Sequence, residues 1–440
     1  MDPTRAQRNG ATKTSLADCP AQELTLGRIL VRSSRNDPLP VCTVPPRLGR
    51  AWAAGGASWF WRPSTPAPAG GCRRRRGGEP RVTAPEVQAA LAHFRVATFR
   101  FCLEPQGMLE LPWFAGSTLR GGLGRALRRS VCTAGPTQPC VTCDLRPSCP
   151  YGVVFETGPR AGAQALRTHE EVPRPFVLRP PGPWGDPAPV AHRGPDSDRR
   201  PLTFEPGQPV RFELILVGQG IAYLPHFILA VEQLGRLGLG RARTRCRLVT
   251  VDALRPSCQG AGDDCQAVAP AAFRVFDGAT RTIRPTPAEC VAAGVPDLPD
   301  AAGAPLRVEY LSMTRLKFGG SYWTTPPFHV LFRAALRRLS SLSYFHHGAP
   351  LQLRFRELIE EAARVELLEH STRWVNWCRW SSRQRAKMGL DGTVGWALYG
   401  APSRAARMVL ALAERVHVGK NVTFGLGQIR CRASQPVGPG

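Results

Sequence analysis

Between residues 94 and 254 the chain shows both strand and helix patterns. Phe99, Phe101 and Leu103 alternate with polar neighbours, and Val210, Phe212, Leu214 and Leu216 do the same, as in half-buried strands. Two further segments, 170–179 and 245–251, predict strands, the first weakened by its prolines. Apolar residues at helical spacing predict a helix N-capped by Ser117 and a second helix over 227–237. The order is β-α-β-β-α-β.

The same order recurs after residue 305. A strand at 306–310 precedes an apolar helical stripe from Phe328 to Leu342 and a second helix over 354–369. Strands at 374–380 and 394–399, a helix at 403–414 and a strand at 424–432 follow. Two such units predict an α+β fold of two tandem ferredoxin-like domains, 89–254 and 305–434. The Pro/Ala/Gly-rich stretch 255–304 is predicted to be a linker with short elements.

Residues 1–88 lack a sustained period. They are rich in Pro, Gly, Ser and Arg and include an arginine run at 73–76. Such composition favours disorder. A start of translation further downstream, which would make this segment non-native, is the other interpretation.

The net charge of the chain indicates what kind of partner it binds. The net charge is +25 with only four lysines, so arginine supplies nearly all of it. A GC-rich genome explains part of that bias, but a polyanion such as RNA suits it, because arginine grips phosphate and stacks on bases. No apolar run is long enough to span a membrane, and no secretory signal begins the chain. A cytoplasmic protein is predicted.

Four of the fourteen cysteines are clustered. The spacing Cys132-x7-Cys140-x2-Cys143-x5-Cys149 puts four thiols into one insert, residues 132–150 of the first domain. Four thiolates suit tetrahedral Zn²⁺ and leave no coordination position open, so a structural zinc is predicted. An iron–sulfur cluster is the alternative.

A glycine-rich loop, Gly419–Gly427, precedes the last predicted strand. Its glycines permit positive φ and a close approach of backbone N–H groups to phosphate, and Lys420 adds a charge. It does not fit a P-loop, which needs Gly-Lys-Ser/Thr opening a helix. The plain alternative is a tight turn before an edge strand.

The second half resembles the CRISPR pre-crRNA processing endoribonucleases of the RAMP superfamily. The stretches that carry the resemblance are Pro326-Pro327-Phe328 through 342–348, Arg373-Trp374-Val375-Asn376-Trp377 with 381–384, and 417–427. The first half matches more weakly, through Ser117-Thr118-Leu119-Arg120-Gly121 and Cys149-Pro150-Tyr151. Residues 1–88 have no counterpart.

The resemblance implies tandem ferredoxin-like domains that bind CRISPR repeat RNA and cut it once without metal, by attack of a 2′-hydroxyl. Histidine suits the general base or acid. We expect His346, His347 and then His417 as catalytic candidates, although any one histidine is more often structural. The expected RNA-binding set is Lys317, Arg333, Arg337, Arg383, Arg385, Lys387, Gly419, Lys420, Gly425 and Gly427.

Two other functions stay open. The first is a non-cleaving RAMP subunit that holds guide RNA among other Cas effector subunits. The second is a zinc-containing RNA-binding protein outside CRISPR systems. Histidines close to the glycine-rich loop favour the enzyme.

Overall fold

The computed structural model describes residues 82–135, 137–158, 172–181, 199–256, 272–296, 298, 301, 303–381 and 386–434. All of them belong to one unit, Arg76–Gly440. The segment expected to be disordered lies mostly outside the described residues. Its last part does not, because a helix begins at Ala84 with a capping box, in which Thr83 and Glu86 bond each other's backbone N–H.

The first half contains an antiparallel sheet with helices against it. Its helices are α1 (Ala84–Leu91), α2 (Gly116–Val131), α3 (Pro150–Val154) and α4 (Leu224–Leu237). Its strands are β1 (Arg95–Pro105), β2 (Leu109–Leu111), β3 (Phe176–Arg179), β4 (Leu202–Phe204), β5 (Val210–Val217), β6 (Cys246–Leu254), β7 (Ala272–Asp277), β8 (Thr282–Ile283) and β9 (Val291–Ala293). The order in the sheet is β3-β5-β1-β6-β7-β8, with β9 also paired to β1.

The second half contains a four-stranded antiparallel sheet. Its helices are α5 (Phe328–Leu342), α6 (Phe355–Ala362) and α7 (Arg404–Val416). Its strands are β10 (Leu306–Thr314), β11 (Lys317–Phe318), β12 (Ser321–Tyr322), β13 (Leu367–Val375), β14 (Cys378–Ser381), β15 (Ala386–Gly389), β16 (Gly392–Tyr399) and β17 (Ile429–Ala433). The sheet order is β13-β16-β10-β17, and the pairs β11–β12 and β14–β15 stand apart as hairpins.

The predicted linker is not a plain connection. Within its described part, β7 pairs with β6 and β9 pairs with β1, so both extend the first sheet. The proline and alanine content of the surrounding stretch hid these strands, which have only six and three residues.

Several predicted boundaries shift. The helix expected over 354–369 ends at Ala362, and β13 starts at Leu367. Ser117 lies inside α2 rather than capping it, since Ala115 holds the N-cap position. The last strand begins at Ile429 rather than 424, because Gly425 and Gly427 take positive φ values of 94° and 76°, outside the range of regular strands.

Burial explains how the halves join. Phe99, Phe101 and Leu103 of β1 face the core formed with α2 and α4, as their alternation predicts. On the other face, Val96 of β1 and Ile215 of β5 belong to the core of the second half, together with α5 and α7. The described chain thus has cores that share the first sheet. None of its described helices combines the length and apolar character needed to cross a membrane.

Candidate nucleic-acid interface

The hairpin β11–β12 exposes two aromatic rings beside a lysine. Gly319 and Gly320 form its turn with φ values of 59° and 84°, the positive values that a two-residue hairpin turn requires. Phe318 is 37% and Tyr322 38% exposed, and Lys317 is exposed as well. Open rings next to positive charge are the usual means of holding unpaired bases. Sequence analysis missed these rings, although Gly-Gly between two short runs signals a hairpin.

Arg315 ties this hairpin to two other segments. Its guanidinium carbon lies 4.2 Å from the ring centroid of Tyr322. The same side chain contacts Asp391 (3.2 Å) and donates to the Gly389 carbonyl (3.1 Å) at the end of β15. Its own carbonyl accepts the backbone N–H of Lys420 at 3.1 Å. The hairpin, the β15 end and the glycine-rich loop are therefore neighbours.

Helix α5 adds arginines to the same side. The Arg333 guanidinium carbon lies 5.1 Å from the Phe318 ring centroid, and Arg337 is exposed one turn further on. Arg338 turns inward instead, donating to the Val416 carbonyl at 2.7 Å. Burial lowers the pKa of Arg338 to about 9. Arg338 thus anchors α5 to the end of α7.

The expected RNA-binding residues divide into three groups. Lys317, Arg333, Arg337, Lys387 and Lys420 are exposed, and we call four of them, Lys317, Arg333, Lys387 and Lys420, together with Phe318 and Tyr322, the basic surface. Arg383 and Arg385 lie outside the described residues. Gly419 is partly exposed, whereas Gly425 and Gly427 are buried.

The buried part of the glycine-rich loop packs on the first half of the chain. A β-carbon at Gly425 would lie 2.6 Å from the Leu178 carbonyl oxygen, and one at Gly427 would lie 1.8 Å from that of Val418. Glycine is required at both positions by the close approach of backbone as well as by φ. Only the part of the loop around Gly419 and Lys420 remains open to a ligand.

Two arginines hold the same loop from either half. The guanidinium carbons of Arg120 and Arg379 lie 4.6 and 4.8 Å from the Phe424 ring centroid. Arg120 also donates to the Thr423 hydroxyl at 3.0 Å. Burial, with Arg174 and Arg379 nearby, lowers the pKa of Arg120 to about 10. The segment Ser117–Gly121, which carries part of the resemblance in the first half, therefore contacts the glycine-rich loop through Arg120.

His417 is fully buried at the start of the loop, with φ of 61°. Its Nδ1 bonds the Leu426 carbonyl at 3.0 Å, and its Nε2 accepts from Arg179 Nε at 3.0 Å. The carbonyl needs a donor and the guanidinium needs an acceptor, so the ring is neutral with the proton on Nδ1. Burial, then Arg179, lower the pKa of His417 well below its usual value.

His346 and His347 also lie between the halves. His346 is buried, with Nε2 2.5 Å from the Pro173 carbonyl oxygen and Nδ1 3.0 Å from Gln219 Nε2. His347 accepts the Arg95 N–H on Nε2 at 2.8 Å, and its Nδ1 lies 3.3 Å from the Leu342 carbonyl oxygen. Both nitrogens of each ring are engaged, which favours a positioning role. The catalytic role expected for His346, His347 and His417 stays a prediction.

A cleft of about 280 Å³ opens between the sheets. Glu213 bonds Arg100 at 2.8 Å and Arg179 at 3.1 Å within it. Burial alone would raise the pKa of Glu213, but these two arginines lower it. The other charged residues that line the cleft are Arg255, Glu414, Arg415 and Arg430. The excess of arginine makes the cleft a second place where phosphate is favoured.

The four-cysteine insert is described apart from residue 136. Burial raises the pKa of the Cys140 thiol, and nearby Cys132 and Cys149 add to the effect. Cys132 donates to the Gly135 carbonyl at 3.7 Å. Among the described residues no group of three or more histidine, cysteine or acidic side chains is arranged to hold a metal ion. The thiols are thus near one another without forming a ligand set, and structural zinc stays a prediction.

Two regions of the chain match models of known protein families. Residues 308–429 match the model of the CRISPR-associated endoribonuclease Cas6, and residues 94–281 match an N-terminal domain model, AF_1859_N. The second half thus contains a region similar to the Cas6 endoribonucleases. The resemblance to the pre-crRNA processing RAMP proteins is thereby confirmed. The Cas6 match covers the whole basic surface. No curated protein matches the sequence.

Solved structures with low overall similarity were also found. Thermus thermophilus Cas6 is 14% identical at a TM-score of 0.39, covering 77% of this chain and 98% of that one. An RAMP protein binding different RNA substrates is 11% identical at 0.36, covering 76% and 99%. A partial Cas6-RT-Cas1–Cas2 complex is 13% identical at 0.39, covering 78% and 46%. With TM-scores below 0.5, the family match carries the assignment.

Proposed function

We propose that this protein is an endoribonuclease that binds CRISPR repeat RNA and cuts it once, without a metal ion, to give guide RNA. One observation carries the proposal. The region that matches the Cas6 endoribonuclease model contains the basic surface, where exposed aromatic rings and cations are neighbours. Charge and stacking are the two interactions that unpaired RNA needs.

The architecture that supports it consists of two ferredoxin-like domains. In each half the β-α-β-β-α-β order recurs with the first and third strands central, as in β3-β5-β1-β6 and β13-β16-β10-β17. We assign the first domain to 89–254 and the second to 305–434, with 255–304 adding strands to the first. The cysteine insert would brace the first domain, holding zinc through Cys132, Cys140, Cys143 and Cys149.

The reaction follows from RNA chemistry. The 2′-hydroxyl oxygen attacks the adjacent phosphorus, a base takes its proton, and the P–O5′ bond breaks as the leaving oxygen gains a proton. The products are a 2′,3′-cyclic phosphate and a 5′-hydroxyl. Cations beside the scissile phosphate stabilise the charge that develops on its oxygens. In this proposal, the positive charges of Lys317, Arg333 and Lys420 provide that stabilisation.

The alternative is a RAMP subunit that binds guide RNA with other Cas proteins and does not cut. Incubation of the protein with repeat RNA in EDTA, followed by mapping of the ends, separates the two. A single cut leaving a 2′,3′-cyclic phosphate is expected. Intact RNA that stays tightly bound would favour the subunit, and a cut that EDTA abolishes would contradict the metal-free mechanism.

A further inference from the structure

We propose that His329 is the general base that takes the proton from the attacking 2′-hydroxyl. The proposal rests on the function proposed above. His329 was not a candidate from the sequence, and the evidence for its role is its contact with Phe318 of the basic surface.

His329 lies in the first turn of α5 and is partly exposed. The ring of Phe318 meets it edge to face, with centroids 5.4 Å apart and planes at 81°. Arg333, one turn later, lies over the same Phe318 ring at 5.1 Å. A nucleotide packed against Phe318 therefore has an imidazole and a guanidinium on the same side of it.

The other described histidines differ in their surroundings. His93, His346, His347 and His417 bond partners across the boundary between the halves. His370 is exposed on β13 beside Thr372, and His226 packs next to Tyr223 on α4. In the described part of the chain, only His329 contacts the basic surface and has ring nitrogens without a protein hydrogen bond. It is thus the one that RNA can bond.

The protonation state suits a base. Burial, followed by the charge of Arg333, lowers the pKa of His329 below 6.5. The positive end of α5 acts in the same direction. Lys317, which precedes Phe318 on the facing hairpin, adds another positive charge to the neighbourhood. The imidazole is therefore neutral at neutral pH and ready to accept a proton, while Arg333 is available to the phosphate.

The step balances without a co-reactant. A ring nitrogen of His329 accepts the 2′-hydroxyl proton as the O2′–P bond forms. The P–O5′ bond breaks, and its electron pair leaves with the 5′-oxygen. That oxygen takes a proton from water, and His329 later returns its own proton to solvent, so the protons balance.

The test uses the full chain and repeat RNA, with protein in excess so that one turnover is observed. His329→Gln and His329→Ala are expected to slow cleavage roughly 10²–10⁴-fold, the usual contribution of a positioned base, with RNA affinity unchanged. His370→Ala is the matched control and should cut at the wild-type rate. Glutamine retains most of the side-chain volume, so it decides the outcome if the alanine variant loses its melting transition.

A pH profile separates a base from a structural histidine. The wild-type rate should rise with pH through the lowered pKa of His329, below 6.5, and then level off. Arg333→Gln removes a charge that lowers this pKa, so its rising limb should move to higher pH. That shift is not expected if His329 only packs.

The two proposals fail differently. A wild-type protein that binds repeat RNA but leaves it intact would refute the endoribonuclease and the role of His329 together. A wild-type protein that cuts while His329→Gln cuts equally fast would refute the role of His329 alone. Loss of RNA affinity in His329→Gln, with a normal cleavage rate once the protein concentration saturates the RNA, would also refute the role of His329 as the base.

Discussion

Single residues in the glycine-rich loop show that one motif can have two tasks. Lys420 is exposed, and its N–H is held by the Arg315 carbonyl at 3.1 Å. Gly427 is buried, with φ of 76° and the Val418 carbonyl against its α-carbon. The first residue is suited to phosphate, and the second allows the chain to fold back on itself. Only the few exposed residues of the glycine-rich loop can therefore contact RNA, although the whole motif was expected to do so.

Gly427→Ala should destabilise the protein strongly. The new β-carbon would lie 1.8 Å from the Val418 carbonyl oxygen, in a backbone conformation that alanine avoids. We expect a loss of roughly 2–5 kcal/mol in the free energy of unfolding, measured by urea titration. The matched control is Gly121→Ala, exposed within α2 with nothing within 4 Å of its β-carbon. It should gain about 0.5–1 kcal/mol, and equal effects of the two would contradict this account.

Among the elements, α5 was predicted from the sequence, whereas the β11–β12 hairpin was not. The apolar stripe of α5 predicted a helix, and the structure has it over the same residues, Phe328–Leu342. The hairpin has two residues in each strand, too few for any period to appear. Its importance comes from packing, because Phe318 meets His329 and Arg333 from α5.

The hairpin should contribute stacking, and the lysines should contribute charge. Phe318→Ala and Tyr322→Ala are each expected to weaken repeat RNA binding by about 1–3 kcal/mol, with little change in the salt dependence. Lys317→Ala should instead reduce the slope of log affinity against log salt by about one. Fluorescence anisotropy across a salt series measures both. Ile283→Ala, which removes an exposed apolar side chain of β8, should bind normally.

At the scale of the whole molecule, neutral histidines join the two halves, and a buried carboxyl lines the cleft between them. His417 bonds Arg179, and His347 bonds the backbone of Arg95. Glu414 is buried at the boundary and accepts the Cys431 N–H at 2.8 Å. Burial raises the pKa of Glu414 to about 8, even though Arg430 and Arg415 act against it. The contact between the halves is consequently sensitive to pH in two opposite directions.

The melting temperature should record both directions. Burial lowers the pKa values of His93, His347 and His417 in the folded protein. Their contribution to the free energy of unfolding is therefore fully present above about pH 6.5 and is lost as the pH falls through the lowered pKa values. Glu414 has the opposite effect, because its pKa is raised from 4.5 to about 8 in the folded protein. Its contribution to the free energy of unfolding is fully present below pH 4.5 and is lost as the pH rises through about 8. We expect Glu414→Gln to melt at a temperature that falls more steeply than wild type between pH 7 and 5.

His347→Gln should change the same curve in the other direction. Removing a histidine whose pKa is lowered in the folded protein flattens the fall on acidification. Scanning calorimetry from pH 5 to 8 on the three proteins tests the pair of signs. Parallel curves for wild type and Glu414→Gln would mean that the carboxyl does not titrate differently in the folded chain.

Much of this was accessible from the residues alone. Alternation in β1 and β5 and the helical stripes of α4, α5 and α7 predicted these elements, because a side chain's period reports which face is buried. The net charge of +25 predicted a polyanionic partner, and the stretches at 326–348 and 417–427 led to the RAMP resemblance that the Cas6 match confirms. These are properties of neighbouring residues, which sequence records directly.

Only the tertiary structure decided which residues the ligand can reach. His346, His347 and His417 look like catalytic candidates in sequence, yet folding places them against carbonyls, amides and a guanidinium from the other half. His329 lies within a predicted helix and was not a candidate from the sequence, yet it contacts Phe318 of the basic surface, close to Arg333. The hydrogen bonds of the first three histidines join segments more than a hundred residues apart, and the contact of His329 depends on how a hairpin packs on a helix, so no local pattern contains that information.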